Sequence, residues 1–481
     1  MPQKYLHFKL ISVSLFLIGY FIALGIISPD LYTKVIITAC YTIFFISSYY
    51  FLNRANQLPY SQAFSLKVIT YYLIFAYAFK LPYDLLFMDE IPVLRNLDIN
   101  AIKASLSSII PKTLLVVLAI QIAYHTTQKL NIKYSKKRAE SKYEVTNLRF
   151  STIISFAIFS LLTKAFVYHV LSWGIPGMTP INTIPVLTGV ITLYIRMPIF
   201  AFLNVAMAFF IASNNKPASK ILALCVAFNV ILDITVGAKY SLVYEAFFIA
   251  CLFFRLRKGK PIPLVKTLTY SIFLILLLSQ YKNINYLRFG LLDGMSIQEA
   301  AVRSVALAEE KDASTISGII NRINGIEHVL FVGSDASYLP SPSWDALWTS
   351  SYTTAYTEAA TGVSDIVNAV GSNQIALLTL LIDSPILLFP TALLYFTFCF
   401  LSFRFIFYLF EGSIAKQNEF LKFSTELIFS IFTIYFIFAT GNYIFYLKEI
   451  LILSTVFIII RLSSKRIVSG KPTKQQYALV D

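Results

Sequence analysis

The sequence predicts an all-α polytopic integral membrane protein with about twelve transmembrane helices, and three observations carry that expectation. Of the 481 residues, 57% are hydrophobic and only 14% are charged, against roughly 45–50% apolar and about 25% charged in an ordinary soluble domain. Mean hydropathy is +0.69. Apolar runs of about 18–25 residues recur along the chain, the length a helix needs to cross about 30 Å of hydrocarbon. A soluble fold of this length is excluded.

Taken in order, the runs lie near 10–27, 33–52, 67–88, 105–126, 150–171, 185–212, 219–236, 240–254, 268–280, 375–402, 423–440 and 443–460. The first follows Lys4 and Lys9 like a signal peptide, but it is long and lacks a small-x-small cleavage site, so it reads as an uncleaved first span. An even number of spans puts both termini on one side. The layout divides the chain into an N-terminal membrane domain of about nine helices (1–280), a large loop (281–374), and C-terminal membrane helices with a basic tail (375–481).

The formal charge is +15, from 40 Lys and Arg against 25 Asp and Glu. In a membrane protein such an excess is first a matter of topology, because cations collect in cytoplasmic loops; no nucleic acid partner is implied. Alternate connections, including 129–149, 255–266 and the tail from Arg461, hold 26 of the 40 cations, which assigns both termini to the cytoplasm and the large loop to the outside. Cys40, Cys225, Cys251 and Cys399 fall inside apolar runs with no C-x-x-C spacing, so neither a disulfide nor a zinc site is expected. The four histidines lack ligand spacing, and no Walker A, dinucleotide or G-x-S-x-G motif occurs, so neither a metal nor a nucleotide cofactor is indicated.

Residues 281–374 are too long for a simple connection, and Trp344, Trp348, several Tyr and recurring Ile argue for order. Ser296-Ile-Gln-Glu299 has capping-box spacing. Ile316, Ile319, Ile320, Ile323, Ile326 and Leu330 make one stripe at helical period, and Ser341-Pro342 offers a third helix start. A small helical cap over the outer membrane face is expected.

Lys80, Lys112, Lys164, Arg196, Lys239 and Lys448 depart from the positive-inside trend. Arg196 lies about 16 Å into a span that also holds Pro198, and an intramembrane Arg costs about 2.5–3.5 kcal/mol, so it faces a cavity or a partner. One reading lines an outer-leaflet cavity with these cations for a phosphate or pyrophosphate. The other pairs Lys80 with Asp84 and Lys239 with Asp233, and lets Lys112 and Lys164 snorkel to the headgroups.

In the loop, Glu327 falls within the isoleucine stripe, with Arg322 on its flank and His328 facing away as a surface residue. A carboxyl among apolar groups has a raised pKa, which suits a general base; alternatively Glu327 marks the fraying helix end. Trp344, Trp348, Tyr352 and Tyr356 recur every four residues, a ridge that suits either sugar stacking or an interfacial belt.

The layout of about twelve spans with one large late loop, the segment QYKNINYLRFGLLDG (280–294) containing Arg288, and the turn Gly237-Ala-Lys239-Tyr-Ser241 resemble bacterial O-antigen and capsule repeat-unit polymerases of the Wzy type. Arg322 is followed by ten residues and then Gly333, a spacing used to describe some members; a second such pair is absent.

The resemblance implies a metal-independent, inverting-type glycosyltransferase with a GT-C-like membrane body. It would act in the bacterial inner membrane, moving a growing glycan from undecaprenyl pyrophosphate onto a new lipid-linked repeat on the periplasmic face. Its partners would be undecaprenyl-pyrophosphate-linked glycans, the bilayer and a chain-length regulator protein. On this view Glu327, Arg288 and Arg322 are catalytic, and Arg196, Lys239, Arg303, Trp344, Trp348 and Tyr352 bind substrate. An O-antigen ligase of the same superfamily, or a lipid-linked oligosaccharide flippase or transporter, is the alternative; a scaffold whose loop binds a partner is a third.

Overall fold

The structure is a computed structural model. It describes residues 17–91, 93–94, 97–139, 150–174, 183–184, 186–236, 238, 240–256, 325–334, 341–349, 373–414, 419–438 and 443–464, with isolated residues and short pieces between 287 and 359. Among these the chain is helical, with no strand. A backbone crossing hydrocarbon must satisfy its own hydrogen bonds, and runs of Leu, Ile and Phe do so as helices.

The elements are α1 (Leu17–Ile27), α2 (Leu31–Ala55), α3 (Tyr60–Ile74), α4 (Lys80–Leu86), α5 (Ile99–Ala139), α6 (Phe150–His169), α7 (Leu187–Tyr194), α8 (Met197–Ala212), α9 (Lys216–Thr235) and α10 (Tyr240–Leu256). They continue with α11 (Ile326–Gly333), α12 (Gln374–Leu381), α13 (Pro385–Ile414), α14 (Glu419–Phe438) and α15 (Tyr443–Ser464). By length and composition, seven helices among the described residues can cross a membrane, and up to eight if the bent pair α7–α8 is one span. The expected span 268–280 lies outside the described residues.

Side chains mark the helix starts. Asp30 accepts the Thr33 backbone N–H at 2.8 Å and caps α2, and Asn215 accepts that of Ala218 at 3.1 Å and caps α9. Asn214 turns the chain between α8 and α9 with φ 54°, a left-handed conformation that asparagine tolerates.

Three expected elements differ from those found. The 105–126 span is the middle of α5, whose 41 residues extend about 60 Å, twice the hydrocarbon thickness, because no Gly or Pro stops it in the basic stretch after Lys129. The 185–212 span bends by 43° at Ile195-Arg196. Pro198 has no backbone N–H to continue a helix and occupies the first turn of α8, leaving Arg196 at the break. The 375–402 span divides at 382–384, where Pro385 opens α13 and Asn373 caps a separate α12.

Helix α5 is the hub, packed by α13, α2, α11, α12 and α3. Helix α14 is enclosed by α3, α8, α10 and α13; 89% of its apolar window is buried, against 28% for α2. So α14 is central to the bundle and α2 faces its surroundings. Inside, α14 carries Glu426, which receives Arg404 of α13; Gln128 of α5 accepts a second hydrogen bond from the same guanidinium at 3.3 Å. Beside them, Ser65 of α3 hydrogen-bonds Tyr124 of α5 at 2.5 Å and Ser430 of α14 at 2.6 Å. These polar groups fix how the central helices meet.

Glu426→Ala strands the Arg404 charge in the interior and is expected to cost about 3–5 kcal/mol. Arg404→Met combined with Glu426→Leu is expected to recover most of that. Chaotrope unfolding in mild detergent measures both, and equal losses in the single and double variants would show that the pair is not what matters.

Candidate functional site

Between α3 and α4, residues Phe75–Phe79 form a π-helical turn. A π turn shifts the backbone ladder by one residue and leaves carbonyls to be satisfied from elsewhere. Two tyrosines do this here: Tyr41 donates to the Tyr77 carbonyl at 2.6 Å and Tyr20 to that of Ala78 at 3.2 Å. The turn is thereby held by α1 and α2, and it places Lys80 at the start of α4.

Onto this turn the large loop delivers α11. Ile326, Glu327, His328, Val329, Leu330 and Phe331 are all buried, against α5, α4, the π turn and α12. Two glycines permit the approach. A Cβ on Gly325 would stand 2.4 Å from the Ala76 carbonyl oxygen, and one on Gly333 would stand 1.6 Å from Ile109 Cδ1.

Charge completes the seat. Lys80 Nζ lies 2.6 Å from Glu327 Oε1 and 3.9 Å from Asp84 Oδ2, with all three side chains buried. The other Glu327 oxygen accepts the Gly325 N–H at 2.9 Å. Asn373 ties the neighbouring segment in, donating to Tyr77 Oη at 3.1 Å and to the Gly325 carbonyl at 3.0 Å while its own oxygen caps α12. His328 Nδ1 is 2.8 Å from Tyr356 Oη. Burial pushes the His328 imidazole down into its neutral form and raises the Tyr356 phenol.

Several expectations are corrected by this arrangement. Glu327 is not a carboxylate among apolar groups alone, because α11 begins only at Ile326 and turns Glu327 toward Lys80. His328 is buried rather than on the surface, since α11 is enclosed on all sides. Lys80 meets Asp84 as one reading held, but its closer partner comes from the loop, 247 positions away in sequence.

The aromatic ridge does not form either. Ser343 starts a short 3₁₀ turn, Trp344–Leu347, in place of an α-helix, so the four-residue spacing no longer sets one face. Trp344 is exposed, whereas Tyr352 and Tyr356 are buried. Trp348 enters an aromatic box of Tyr395, Phe398 and Tyr443 at ring-centre distances of 5.2, 5.9 and 5.2 Å. Tyr395 in turn places its hydroxyl 2.9 Å from both the Leu347 carbonyl and Gln374 Oε1.

Among the described residues, the remaining cations do not gather into one anion cradle. Lys112 pairs with Asp383 at 3.2 Å. Lys164 does not snorkel: it is buried, 2.7 Å from both Asp233 and Asn229, and so occupies the acid expected for Lys239. Arg196, at the bend, lies over the Phe445 ring of α15 at 5.5 Å. Arg303 is exposed, its Nη1 3.6 Å from Met295 Sδ. Lys239, Arg288 and Arg322 lie outside the described residues.

Sequence reasoning passed over Asn204, Asn229, Glu245, Asn373 and Glu449. Asn204, Asn229, Glu245 and Glu449 announce themselves only as polar residues within apolar helices, and which residue each one meets is decided by helix packing. No family model, curated protein or solved structure matches this chain.

The seat of α11 can be tested directly. With the four native cysteines replaced by alanine, Ser334→Cys reports on the buried end of α11 through its labelling by an impermeant maleimide. Adding Lys80→Ala or Gly325→Val is expected to weaken the seat by about 3 kcal/mol and to speed labelling on the order of 100-fold. Labelling as slow as in the parent would show that neither the ion pair nor the close approach holds the helix.

Proposed function

We propose that this chain is a membrane glycan polymerase of the Wzy type, which lengthens a lipid-linked saccharide at the outer face of the bacterial inner membrane. Support comes from the segment 280–294 with Arg288, the turn 237–241 with Lys239, and the Arg322–Gly333 spacing. The one structural observation that favours it is the seat of α11: Ile326–Gly333, a helix from within the long segment 281–374, is packed into the bundle against α4, α5 and α12. Arg322 stands five residues before Glu327 in the sequence.

On this proposal the twelve spans, cytoplasmic termini and periplasmic loop follow the charge distribution. Fixed cations would stabilise the pyrophosphate that leaves as the glycan is transferred, where electrostatic preorganisation is usually the largest catalytic contribution. That role falls to Arg288 and Arg322 with Lys239, because Lys80, Lys112 and Lys164 are committed to carboxylates. With Lys80 in contact, Glu327 acts as the anchor of the loop more naturally than as a free base.

A lipid-linked oligosaccharide flippase or transporter is the second reading, favoured by the bend at Arg196. Transporters bind substrate at discontinuous helices, and intramembrane charges often line their pathways. Purified protein that lengthens lipid-linked repeats in detergent, without a second compartment, decides for the polymerase.

Replacing Arg288 or Arg322 by Ala is expected to collapse the surface glycan of the host to single repeats with protein level unchanged, read as the banding pattern of extracted polysaccharide. Full-length polymer from both variants would remove these residues from the proposal.

A further inference from the structure

Away from the loop, α6, α8, α9 and α10 enclose a second polar cluster that the proposed function does not use. Lys164 and Tyr168 come from α6, Asn204 from α8, Asn229 and Asp233 from α9, and Glu245 from α10. Lys164, Asp233, Asn204, Asn229 and Glu245 are all buried.

The charges do not balance within it. Lys164 donates to Asp233 Oδ1 and Asn229 Oδ1, each at 2.7 Å, and its ammonium lies over the Tyr168 ring at 5.4 Å. Tyr168 adds a hydrogen bond to Asp233 at 2.9 Å. The one cation is therefore matched to Asp233, and Glu245 has no cation within ion-pair distance among the described residues. From α14, Tyr435 packs against the Tyr244 ring at 5.9 Å between ring centres.

Hydrogen bonding shows what Glu245 has instead. Asn204 Nδ2 donates to Glu245 Oε2 at 2.7 Å and to the Phe200 carbonyl at 3.0 Å. Both remaining oxygens of this pair, Glu245 Oε1 and Asn204 Oδ1, are buried acceptors with no donor. Asn229 Nδ2 makes no hydrogen bond, so it does not serve Glu245 either. Two acceptors on two side chains already joined through their other ends are what a carboxylic acid and a primary amide present when one proton is missing from their two-bond ring. Leaving both acceptors unmatched in the interior is costly.

We propose that Glu245 and Asn204 form a proton-binding site in the interior of the bundle, in which a proton on Glu245 Oε1 is donated to Asn204 Oδ1. One proton from water satisfies both acceptors and removes the uncompensated charge. It also joins α10 to α8, the half-helix that starts at the Arg196 bend, so the state of this proton bears on how the bent span is held.

The test uses the full chain in detergent or nanodiscs. Infrared difference spectra of wild type against Glu245→Gln are expected to show one protonated-carboxyl carbonyl band that the variant lacks. Asn204→Leu is expected to move that band to higher frequency, because it removes the acceptor. Glutamine reproduces the two-bond ring, so Glu245→Gln is expected to keep the wild-type melting temperature, whereas Asn204→Leu lowers it. The absence of any carbonyl band lost in Glu245→Gln, or a Glu245→Gln variant as destabilised as Asn204→Leu, overturns the site.

Discussion

A charge that leaves water for the interior of a helical bundle must meet its opposite or be neutralised, and the architecture of this protein depends on that constraint. Its fullest expression is the contact between Lys80 and Glu327 at 2.6 Å, which joins the second long span to a helix of the large loop. The π turn before Lys80, the tyrosines that satisfy it, and the glycines that admit α11 are all local conditions for that contact. Apolar burial alone could not choose this register. In a membrane, lipid and protein interior are similarly apolar, so polar contacts and close packing carry the specificity.

The same constraint recurs at Arg404–Glu426 and Lys164–Asp233. Each pair joins different helices, tying α13 to α14 and α6 to α9, while Arg196 over the Phe445 ring links the bend before α8 to α15. They divide the interior into polar nodes separated by aromatic and aliphatic packing. A cation held by a carboxylate contributes little to an anion-binding surface, and Lys80, Lys112 and Lys164 are all held in that way.

Much of the fold was legible in the chain itself. Apolar runs long enough to cross a bilayer located the helices α2, α5, α6, α9, α13 and α14, since hydrocarbon imposes length and helical backbone bonding together. Arg196 stood out as a cation within an apolar run, and Pro198 just after it lies in the first turn of α8. The importance of Glu327 was visible as a carboxylate in an apolar stripe. Its partner was not, because periodicity along one helix says nothing about which residue arrives from 247 positions earlier.

What the sequence determined by itself is the class of the molecule: helical, with several helices long and apolar enough to cross a membrane. Those properties are sums and local patterns, and they survive any arrangement of the helices. What only the tertiary structure decided is which polar side chains meet. The aromatic series at 344–356 was dispersed because a 3₁₀ turn replaced the helix that would have aligned it, and Lys164 took Asp233 because α6 lies against α9. Burial energy is nearly indifferent among such packings, whereas the energy of a buried charge depends on a few ångströms, and that distance exists only once the helices are in place.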